Sequence, residues 1–321
     1  MEPVLSPADA ALSVRVLAPA KVNLGLRVIG VRPDGYHRLE SVFVPLDWSD
    51  TVHLTCSSQS QRRVHLVNRQ VSKGVSSRLL TVPEGEENLA HRAAMGFLQR
   101  ADLSASVQIE LTKEIPAAAG LGGGSSDAGA VLRGLAKIWP EALPETEMRA
   151  LALSLGADVP FFLDPRPALV SGIGEKIEPL ERFPAFSLLL ANPGEALSTA
   201  KVFKAWDVLA PSLTPARSGS TLRALSAFLE VEPTESGLGL AAGLQGLLVN
   251  DLEASAKRLC PSVGRLLASL KESGAKAVSM SGSGATVFGV FDSSESARGA
   301  QKNLDLGESG WSWLAASQSA R

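Results

Sequence analysis

The sequence predicts an α+β protein of two domains, and three observations support this prediction. The chain has 321 residues, and chains beyond roughly 250–300 residues usually divide their core between domains. Strand-like and helix-like segments are mixed without the regular alternation that a parallel α/β sheet requires. The character of the sequence also changes after about Gly174. We therefore place an N-terminal domain at residues 1–178 and a C-terminal domain at residues 179–321.

The elements of the first half surround a Gly-rich loop. After a loose tail over residues 1–13, strand-like alternation runs through SVRVLAPAKVNLGLRVIG with an interruption at Pro19, and it continues in SVFVPLDWSDTVHLTC. Residues 57–78 are polar and predict a hairpin or mobile loops. A helix is expected to start near Asn88, followed by the strand VQIELTKEIP. The Gly-rich loop then leads into the helix DAGAVLRGLAKIW, and MRALALSLG forms the next helix.

The second half predicts one strand, several helices and a late hairpin. SLLLANPG is a short apolar strand and LSTAKVFKAW a helix. Residues 210–240 are rich in Pro, Ser and Gly, with one helical piece, TLRALSAFLE. Two helices are separated at Pro261, and AKAVSMSGSGATVFGVF predicts a strand, a Gly turn and a strand. SSESARGAQKNL is the expected terminal helix.

Composition and charge exclude several function classes. A net charge of −2 gives no global electrostatic argument for a nucleic-acid or anionic-membrane partner. Cys56 and Cys260 are too few for a disulfide framework or a zinc ribbon, and we expect two reduced thiols, with a single bridge as the alternative. No segment approaches the ~18 apolar residues of a membrane helix, and the first residues do not resemble a secretory signal. These features predict a cytoplasmic protein.

The strongest local signal is the Gly-rich loop. Gly120 and residues 122–124 place four glycines in five positions, which lets the backbone turn with its amides toward a ligand. A helix starting directly afterwards directs its free amides and the positive end of its dipole to the same place. The candidate cofactor-binding residues are Pro116, Ala117, Ala118, Ala119, Gly120, Leu121, Gly122, Gly123, Gly124, Ser125 and Ser126.

This pattern indicates an anion cradle suited to a triphosphate. Ser125 and Ser126 could add donors or help to hold Mg²⁺. The loop is not a Walker A motif, because the chain contains no Gly-Lys-Ser/Thr, and it lacks the third glycine of the Rossmann fingerprint. The helix that follows has Ser125, Ser126 and Asp127 as capping candidates. The alternative to an anion cradle is a flexible surface loop with a Gly-rich helix cap.

Two further segments carry candidate catalytic groups. Lys21 and Asn23 stand two residues apart on a strand and therefore share one face, where an ammonium and an amide suit a phosphoryl group or a hydroxyl. Asp158 lies at a rigid turn before Pro160. Each has an ordinary alternative: Lys21 as an exposed strand lysine, and Asp158 as a turn or cap residue.

Together, three of these segments resemble the motifs of the GHMP small-molecule kinases. They are Pro-Ala-Lys-Val-Asn-Leu, Gly-Leu-Gly-Gly-Gly-Ser-Ser and the late turn Met280-Ser-Gly-Ser-Gly284. The segments RPDGYH, GADVPF, STAKVF and NDLE are similar, in this order, to members whose acceptor is a cytidine diphosphate sugar alcohol. The resemblance extends from about Val16 to Phe291. It implies a two-domain GHMP-kinase-like fold with the active site in the cleft between the domains, and ATP with Mg²⁺ as cofactors.

The resemblance also implies roles for individual residues. Asp158 would accept the proton of the substrate hydroxyl or orient that oxygen, with Lys21 beside it. Tyr36 and Phe203 would stack on the two faces of the cytosine, and His37 would hydrogen-bond the base. The implied substrate-binding residues are Asn23, Tyr36, His37, Thr199 and Phe203, with Thr199 and Asn23 at the diphosphate and the sugar-alcohol end.

Two other functions remain as alternatives. One is a GHMP kinase for another small alcohol, such as mevalonate, homoserine or a sugar, which would not need Tyr36, His37 and Phe203. The other is a non-catalytic nucleotide-binding paralogue, which would not need Lys21 and Asp158. The expected partners are the small-molecule substrate and ATP, with no nucleic acid and no membrane, and no residue is assigned as a dedicated metal ligand. The expected state is a monomer or a weak homodimer.

Overall fold

The computed structural model describes residues 11–71, 80–209, 220–230, 241 and 243–318. Within these ranges two sheets and their helices confirm the α+β class. The strands are β1 (Leu12–Val31), β2 (His37–Ser58), β3 (Arg63–Gln70), β4 (Ala105–Lys113), β5 (Ala168–Gly172), β6 (Lys176–Pro179), β7 (Ser187–Asn192), β8 (Ala277–Met280), β9 (Val287–Phe291) and β10 (Trp311–Ala316). The α-helices are α1 (Leu89–Arg100), α2 (Gly123–Ile138), α3 (Glu145–Leu155), α4 (Thr199–Leu209), α5 (Ser220–Glu230), α6 (Glu253–Leu259), α7 (Pro261–Glu272) and α8 (Ser294–Gln301), and the 3₁₀ helices are Gly85–Glu87 and Pro160–Leu163.

The first sheet is built on two long antiparallel strands, β1 and β2. One part of β2 also pairs with β4 and another part with β5, while β6 flanks β5. β3 lies beside β4 in parallel register, so the segment 57–78, predicted as a hairpin or loops, contains a strand. Its partner follows only after α1, a long-range pairing that local sequence patterns do not reveal. Residues 72–78 of that segment, like the first ten of the predicted tail, lie outside the described ranges.

Strand β1 is continuous but bulged around its catalytic candidates. Its register against β2 shifts between Pro19 and Lys21 and again between Asn23 and Leu26. The interruption predicted at Pro19 is therefore a bulge, because proline lacks the N–H that a regular ladder needs. Bulges redirect side chains locally, and here they bracket Lys21 and Asn23.

Helices α1 and α2 begin at different kinds of cap. The side chain of Asn88 accepts a hydrogen bond from the Ala90 amide at 2.9 Å, so α1 starts where the sequence predicts. The capping role expected of residues 125–127 is wrong, because α2 begins at Gly123 with Gly122 as its N-cap. Gly122 adopts φ 71°, a left-handed conformation that glycine allows. The helix therefore begins before residues 125–127, where the sequence predicted its cap.

The second sheet has the antiparallel order β10-β7-β9-β8. SSESARGAQKNL contains α8, as predicted, but the expectation that this helix is the last element is wrong. The chain continues into β10, an outer strand of this sheet. The strand pairs with β7 from Trp311↔Asn192 to Ala316↔Ser187 and buries Trp311 and Ala315. A run of six residues is too short to be assigned from periodicity alone.

A hydrophobic core joins the two sheets. Val44 of the first sheet, Leu188 and Phe288 of the second, and Leu222 of α5 belong to one cluster of buried residues. The domain boundary after residue 178 remains a prediction, and it falls within β6, the last strand of the first sheet. Among the helices of the described ranges, none has the length and apolar character needed to cross a membrane.

Candidate active site

A cavity of about 450 Å³ lies where residues of the first sheet meet the Gly-rich loop, α4 and the late Ser-Gly turn. Its walls include β1 at Lys21 and Asn23, and α4 at Thr199 and Phe203. Asp158, from the turn after α3, also lines it. The cavity therefore contains both catalytic candidates and three of the five substrate-binding candidates.

The Gly-rich loop, residues 116–126, forms one wall of this cavity. All of its residues line the cavity except Leu121 and Ser126, which are buried. At Gly122 a Cβ atom would lie 3.0 Å from the Phe162 ring and 3.2 Å from Lys21 Cε. The loop therefore passes against Lys21, and the N-terminus of α2 faces the cavity.

Neighbouring segments hold the loop from both sides. The Lys21 amide donates to the Leu121 carbonyl at 2.9 Å, and Ser281 Oγ donates to the Gly120 carbonyl at 2.9 Å. A Cβ on Gly120, whose φ is 78°, would lie 2.5 Å from the Ser281 carbonyl oxygen. The late Ser-Gly turn, residues 281–284, thus packs on the loop without space for a side chain.

Lys21 is the centre of the polar contacts in the cavity. Its ammonium group donates to Asn23 Oδ1 at 2.7 Å and lies 3.5 Å from Asp158 Oδ2. It also stands 4.6 Å from the centre of the Phe43 ring. Because the Lys21 side chain is only 3% exposed, this charge acts in a partly dehydrated environment, where electrostatic effects are stronger than in water. The alternative of an ordinary exposed lysine is therefore wrong.

Asp158 approaches Lys21 from the turn between α3 and the second 3₁₀ helix. Its carboxylate is about one third exposed (33%) and faces the cavity. Val159, rather than Asp158, is the N-cap of the 3₁₀ helix. Asp158 is thus placed as a cavity carboxylate beside an ammonium group.

Asn23 is held firmly by its own contacts. Its side-chain Nδ2 donates to Ser41 Oγ at 2.8 Å, and its Oδ1 accepts from Lys21. Its backbone N–H donates to Ser281 Oγ at 3.3 Å. With 2% of its surface exposed, Asn23 orients the lysine as well as lining the cavity.

The aromatic candidates are only partly brought together. The His37 ring stacks on Phe203, with ring centres 4.6 Å apart, and His37 Nε2 lies 2.7 Å from Asp207 Oδ1. Trp206 meets the same imidazole edge-on. Tyr36 is 65% exposed and is not among the residues that line the cavity. Thr199 Oγ1 lies 2.9 Å from Ser283 Oγ, where α4 meets the Ser-Gly turn.

Sequence reasoning missed two groups of residues at this site. Trp206 and Asp207 follow Phe203 by one helical turn on α4, and that spacing could have indicated them. Beneath the loop, Lys113 forms ion pairs with both Asp50 and Asp127. Burial, partly offset by the Lys113 charge, raises the pKa of Asp127 to about 7.

The chain matches protein families and known proteins along most of its length. The family model for the GHMP kinases N terminal domain matches residues 88–164, and that for GHMP kinases C terminal matches residues 224–306. The 4-diphosphocytidyl-2-C-methyl-D-erythritol kinase of Syntrophotalea carbinolica is 38% identical over 295 residues, which cover 92% of this chain and 95% of that protein. The protein of the same name from Deinococcus radiodurans is 37% identical over 304 residues, with 94% and 91% coverage.

Solved structures show the same fold. A 4-(cytidine 5'-diphospho)-2C-methyl-D-erythritol kinase structure is 36% identical with a TM-score of 0.74, covering 95% of this chain and 99% of that one. A homoserine kinase from Cytophaga hutchinsonii, only 16% identical, superposes with a TM-score of 0.64 over 98% of this chain and 96% of that one. The second similarity concerns the fold alone.

Proposed function

Because the chain belongs to the 4-diphosphocytidyl-2-C-methyl-D-erythritol kinases of the GHMP superfamily, we propose that its cavity performs this reaction. The enzyme is an ATP-dependent phosphotransferase with an alcohol acceptor. The γ-phosphoryl group of ATP is transferred to the 2-hydroxyl of 4-diphosphocytidyl-2-C-methyl-D-erythritol, in the methylerythritol phosphate route to isoprenoid precursors.

One observation carries the assignment of the reacting groups. The Lys21 ammonium lies 3.5 Å from the Asp158 carboxylate, and Gly122 of the loop packs against the same lysine side chain. A buried cation, a carboxylate and an anion cradle therefore converge on one point of the cavity. Phosphoryl transfer depends mainly on positioning and charge stabilisation, and these three parts provide both.

The proposed mechanism follows from this geometry. The loop and the N-terminus of α2 bind the triphosphate, and Lys21 stabilises the negative charge on the phosphoryl group in flight. The substrate oxygen attacks the γ-phosphorus while the bond to the ADP oxygen breaks. Asp158 takes the hydroxyl proton, or orients the attacking oxygen. Asn23 keeps the lysine in place during transfer.

The site residues fit a Mg²⁺ ion that is shared with the nucleotide. Mg²⁺ usually binds one or two protein oxygens together with substrate phosphates and water. Ser125 offers such an oxygen at the cavity wall, while the described residues contain no cluster of three or more His, Cys, Asp or Glu that would form a dedicated metal cage. When bound, the ion neutralises charge on the phosphates.

We place base recognition at the α4 end of the cavity. Phe203 lines the cavity and carries the stacked His37 ring, so an aromatic surface and a hydrogen-bonding group stand together. Tyr36, on the neighbouring exposed turn, supplies the second stacking face, and a pyrimidine between aromatic rings gains about 1–3 kcal/mol. Thr199 contacts the diphosphate.

We further propose that the protein is cytoplasmic and that it is a monomer or a weak homodimer.

A coupled assay of ADP release tests the function. The protein is given ATP and Mg²⁺ with the cytidine diphosphate substrate, with mevalonate, with homoserine, or with no acceptor. We expect acceptor-dependent ADP release with the cytidine compound alone. Faster turnover of another alcohol would favour the second GHMP activity. Nucleotide binding without turnover of any acceptor would favour a non-catalytic paralogue.

A further inference from the structure

A bridge of three buried ionisable side chains lies at the base of the Gly-rich loop. Lys113, at the end of β4, donates to Asp127 Oδ2 at 2.6 Å and also to Asp50 Oδ2. Asp50 belongs to β2 and Asp127 to the first turns of α2. All three side chains are at most 3% exposed. The bridge therefore connects β2, β4 and α2, and two of its members, Lys113 and Asp127, also line the cavity.

The same bridge fixes both ends of the loop. Asp50 Oδ1 accepts hydrogen bonds from the amides of Glu114 and Ile115, at 2.5 and 2.9 Å, which anchors the chain as it enters the loop. Asp127 anchors it where it has become helix. Between these points Lys113 Nζ lies 3.5 Å from where a Cβ of Gly123 would stand. The ammonium therefore sits directly under the first residue of α2.

Stability alone does not explain this arrangement. Burying charges has a large desolvation penalty, and apolar side chains of similar volume are often as stabilising as a buried ion network. The bridge is also unbalanced, with two carboxylates for one ammonium, and Asp127 Oδ1 has no hydrogen-bond partner among the described residues. Its directional contacts instead determine where the loop amides and the α2 N-terminus point.

We propose that Lys113, through Asp50 and Asp127, is a positioning residue that holds the Gly-rich loop in its triphosphate-binding shape before the nucleotide arrives. The ammonium does this by tying the entry of the loop to the first turns of α2. The inference rests on the proposed function insofar as the loop binds ATP, and it does not depend on which alcohol accepts the phosphoryl group.

The test compares nucleotide binding and kinetics in purified variants. Lys113→Met keeps the approximate length of the side chain and removes the ammonium. We expect kcat/KM for ATP to fall between about ten- and a hundredfold, because displacing a reacting group by about 1 Å can have that effect. The Kd of a non-hydrolysable ATP analogue, measured by calorimetry, should rise, while the KM of the cytidine substrate stays within about twofold of wild type. Lys113→Arg, which keeps the positive charge, should recover part of the affinity for the analogue.

A matched control separates positioning from loss of stability. Leu54→Ala removes a fully buried side chain of the same sheet that is not among the cavity-lining residues, and it should lower the melting temperature without changing the Kd of the analogue. If Lys113→Met does not fold, the triple variant Asp50→Asn/Lys113→Met/Asp127→Leu removes the charges together. The asparagine introduced at position 50 still offers an acceptor to the loop amides, so this variant should fold and show the same loss of affinity.

The outcomes are distinct. Analogue affinity within twofold of wild type in folded Lys113→Met, or in the folded triple variant, would overturn the positioning role. Failure of the wild-type enzyme to phosphorylate the cytidine substrate would overturn the proposed function. In that case, weaker analogue binding by the Lys113 variants would still support the bridge.

Discussion

At the scale of single residues, the proposed chemistry depends on how closely Lys21 and Asp158 are held. Both were identified from short motifs, because a lysine on a strand and an aspartate before Val-Pro have local signatures. Their convergence could not be derived from residue patterns alone, since the contact joins positions 137 residues apart. It depends on the whole first sheet forming.

Replacing Asp158 by Asn tests the role of the carboxylate directly. The change keeps the size of the side chain and removes its basicity, and loss of a positioned general base lowers the rate by about 10²–10⁴. We expect this loss in kcat, with the KM values for ATP and the cytidine substrate nearly unchanged. Steady-state kinetics and the melting temperature are measured on the same protein. Asp164→Asn, a nearby exposed carboxylate paired with Arg166, is the control, and near-normal kcat in Asp158→Asn would refute the catalytic role.

The glycines of the loop are not equivalent, and a pair of alanine variants should show this. Gly122 has φ 71° and close neighbours, whereas a Cβ at Gly124 would meet only Leu89 Cδ1 at 3.9 Å. Gly122→Ala should lose about 1–2 kcal/mol of unfolding free energy from the left-handed backbone and bind ATP more weakly. Gly124→Ala should gain up to about 1 kcal/mol as a better helix former. Urea unfolding checks both values, and equal stability in the two variants would contradict the assigned conformations.

The loop residues were predictable, whereas the bridge beneath them was not. Glycine, serine and a following helix form a local pattern that can be recognised in the sequence. Lys113 is separated from Asp50 by 63 positions and from Asp127 by 14, and each is an ordinary charged residue in isolation. Asp127 was interpreted as a capping candidate because it stands at the start of the predicted helix DAGAVLRGLAKIW. The cap itself is Gly122, because a left-handed glycine can begin the helix without a side-chain acceptor.

At the scale of elements, the Ser-Gly turn depends on a segment before α6. Asn250 Nδ2 donates to the carbonyls of Met280 and Gly282, each at 2.8 Å, and Asn250 itself forms a bridge with Leu26 of β1. The Ser-Gly turn itself packs against Gly120 of the Gly-rich loop. Asn250 thus connects the segment before α6 with the Ser-Gly turn and, through that turn, with the Gly-rich loop. These contacts explain why the NDLE segment occurs together with the other motifs.

Replacing Asn250 by Ala should release the turn from this position. Two buried carbonyl oxygens lose their donor, and we expect a higher KM for ATP together with a lower kcat, because the turn no longer supports the loop beside Lys21. Asp251→Asn is the matched control in the same segment: it weakens the ion pair with Arg27 but leaves the turn contacts intact, so its KM for ATP should stay near wild type. KM for ATP and kcat are measured for both variants under the same conditions. Equal changes in the two variants would show that the effect comes from the segment as a whole and not from the Asn250 contacts to the turn.

Element prediction succeeded where a segment has its own periodicity and failed where pairing is remote. Helices α1 and α7 were placed from their apolar spacing and their starting residues. Strand β10 was missed because Trp311–Ala316 gains its burial from β7, which lies more than a hundred residues earlier. For residues 57–78, predicted as a hairpin or loops, the pairing was missed for the same reason, since β3 pairs in parallel with a strand beyond α1.

At the scale of the whole molecule, the C-terminal strand connects the two sheets. Trp48 of β2 stacks on Trp313 of β10, with ring centres 4.4 Å apart and planes at 11°. The Gln318 amide donates to the Pro45 carbonyl at 3.0 Å, and Ser317 forms a bridge with Leu46. Residues 313–318 therefore pack on the first sheet, and the two predicted domains share side chains that neither can bury alone.

This shared core predicts that residues 1–178 do not form a stable protein by themselves. Val44 and its neighbours on β1 and β2 would lose Leu188, Phe288 and Leu222, which belong to the same buried cluster, and exposed apolar area destabilises by about 25 cal/mol per Å². The fragment should bind a hydrophobic dye and lack a sigmoidal urea transition. In the intact chain, far-UV circular dichroism and the near-UV signal of the Trp48–Trp313 pair should be lost in one transition, because both report on one cooperative unit. A fragment that unfolds cooperatively and binds an ATP analogue would instead show that the boundary after residue 178 separates independent folding units, with the cleft formed by docking rather than by a common core.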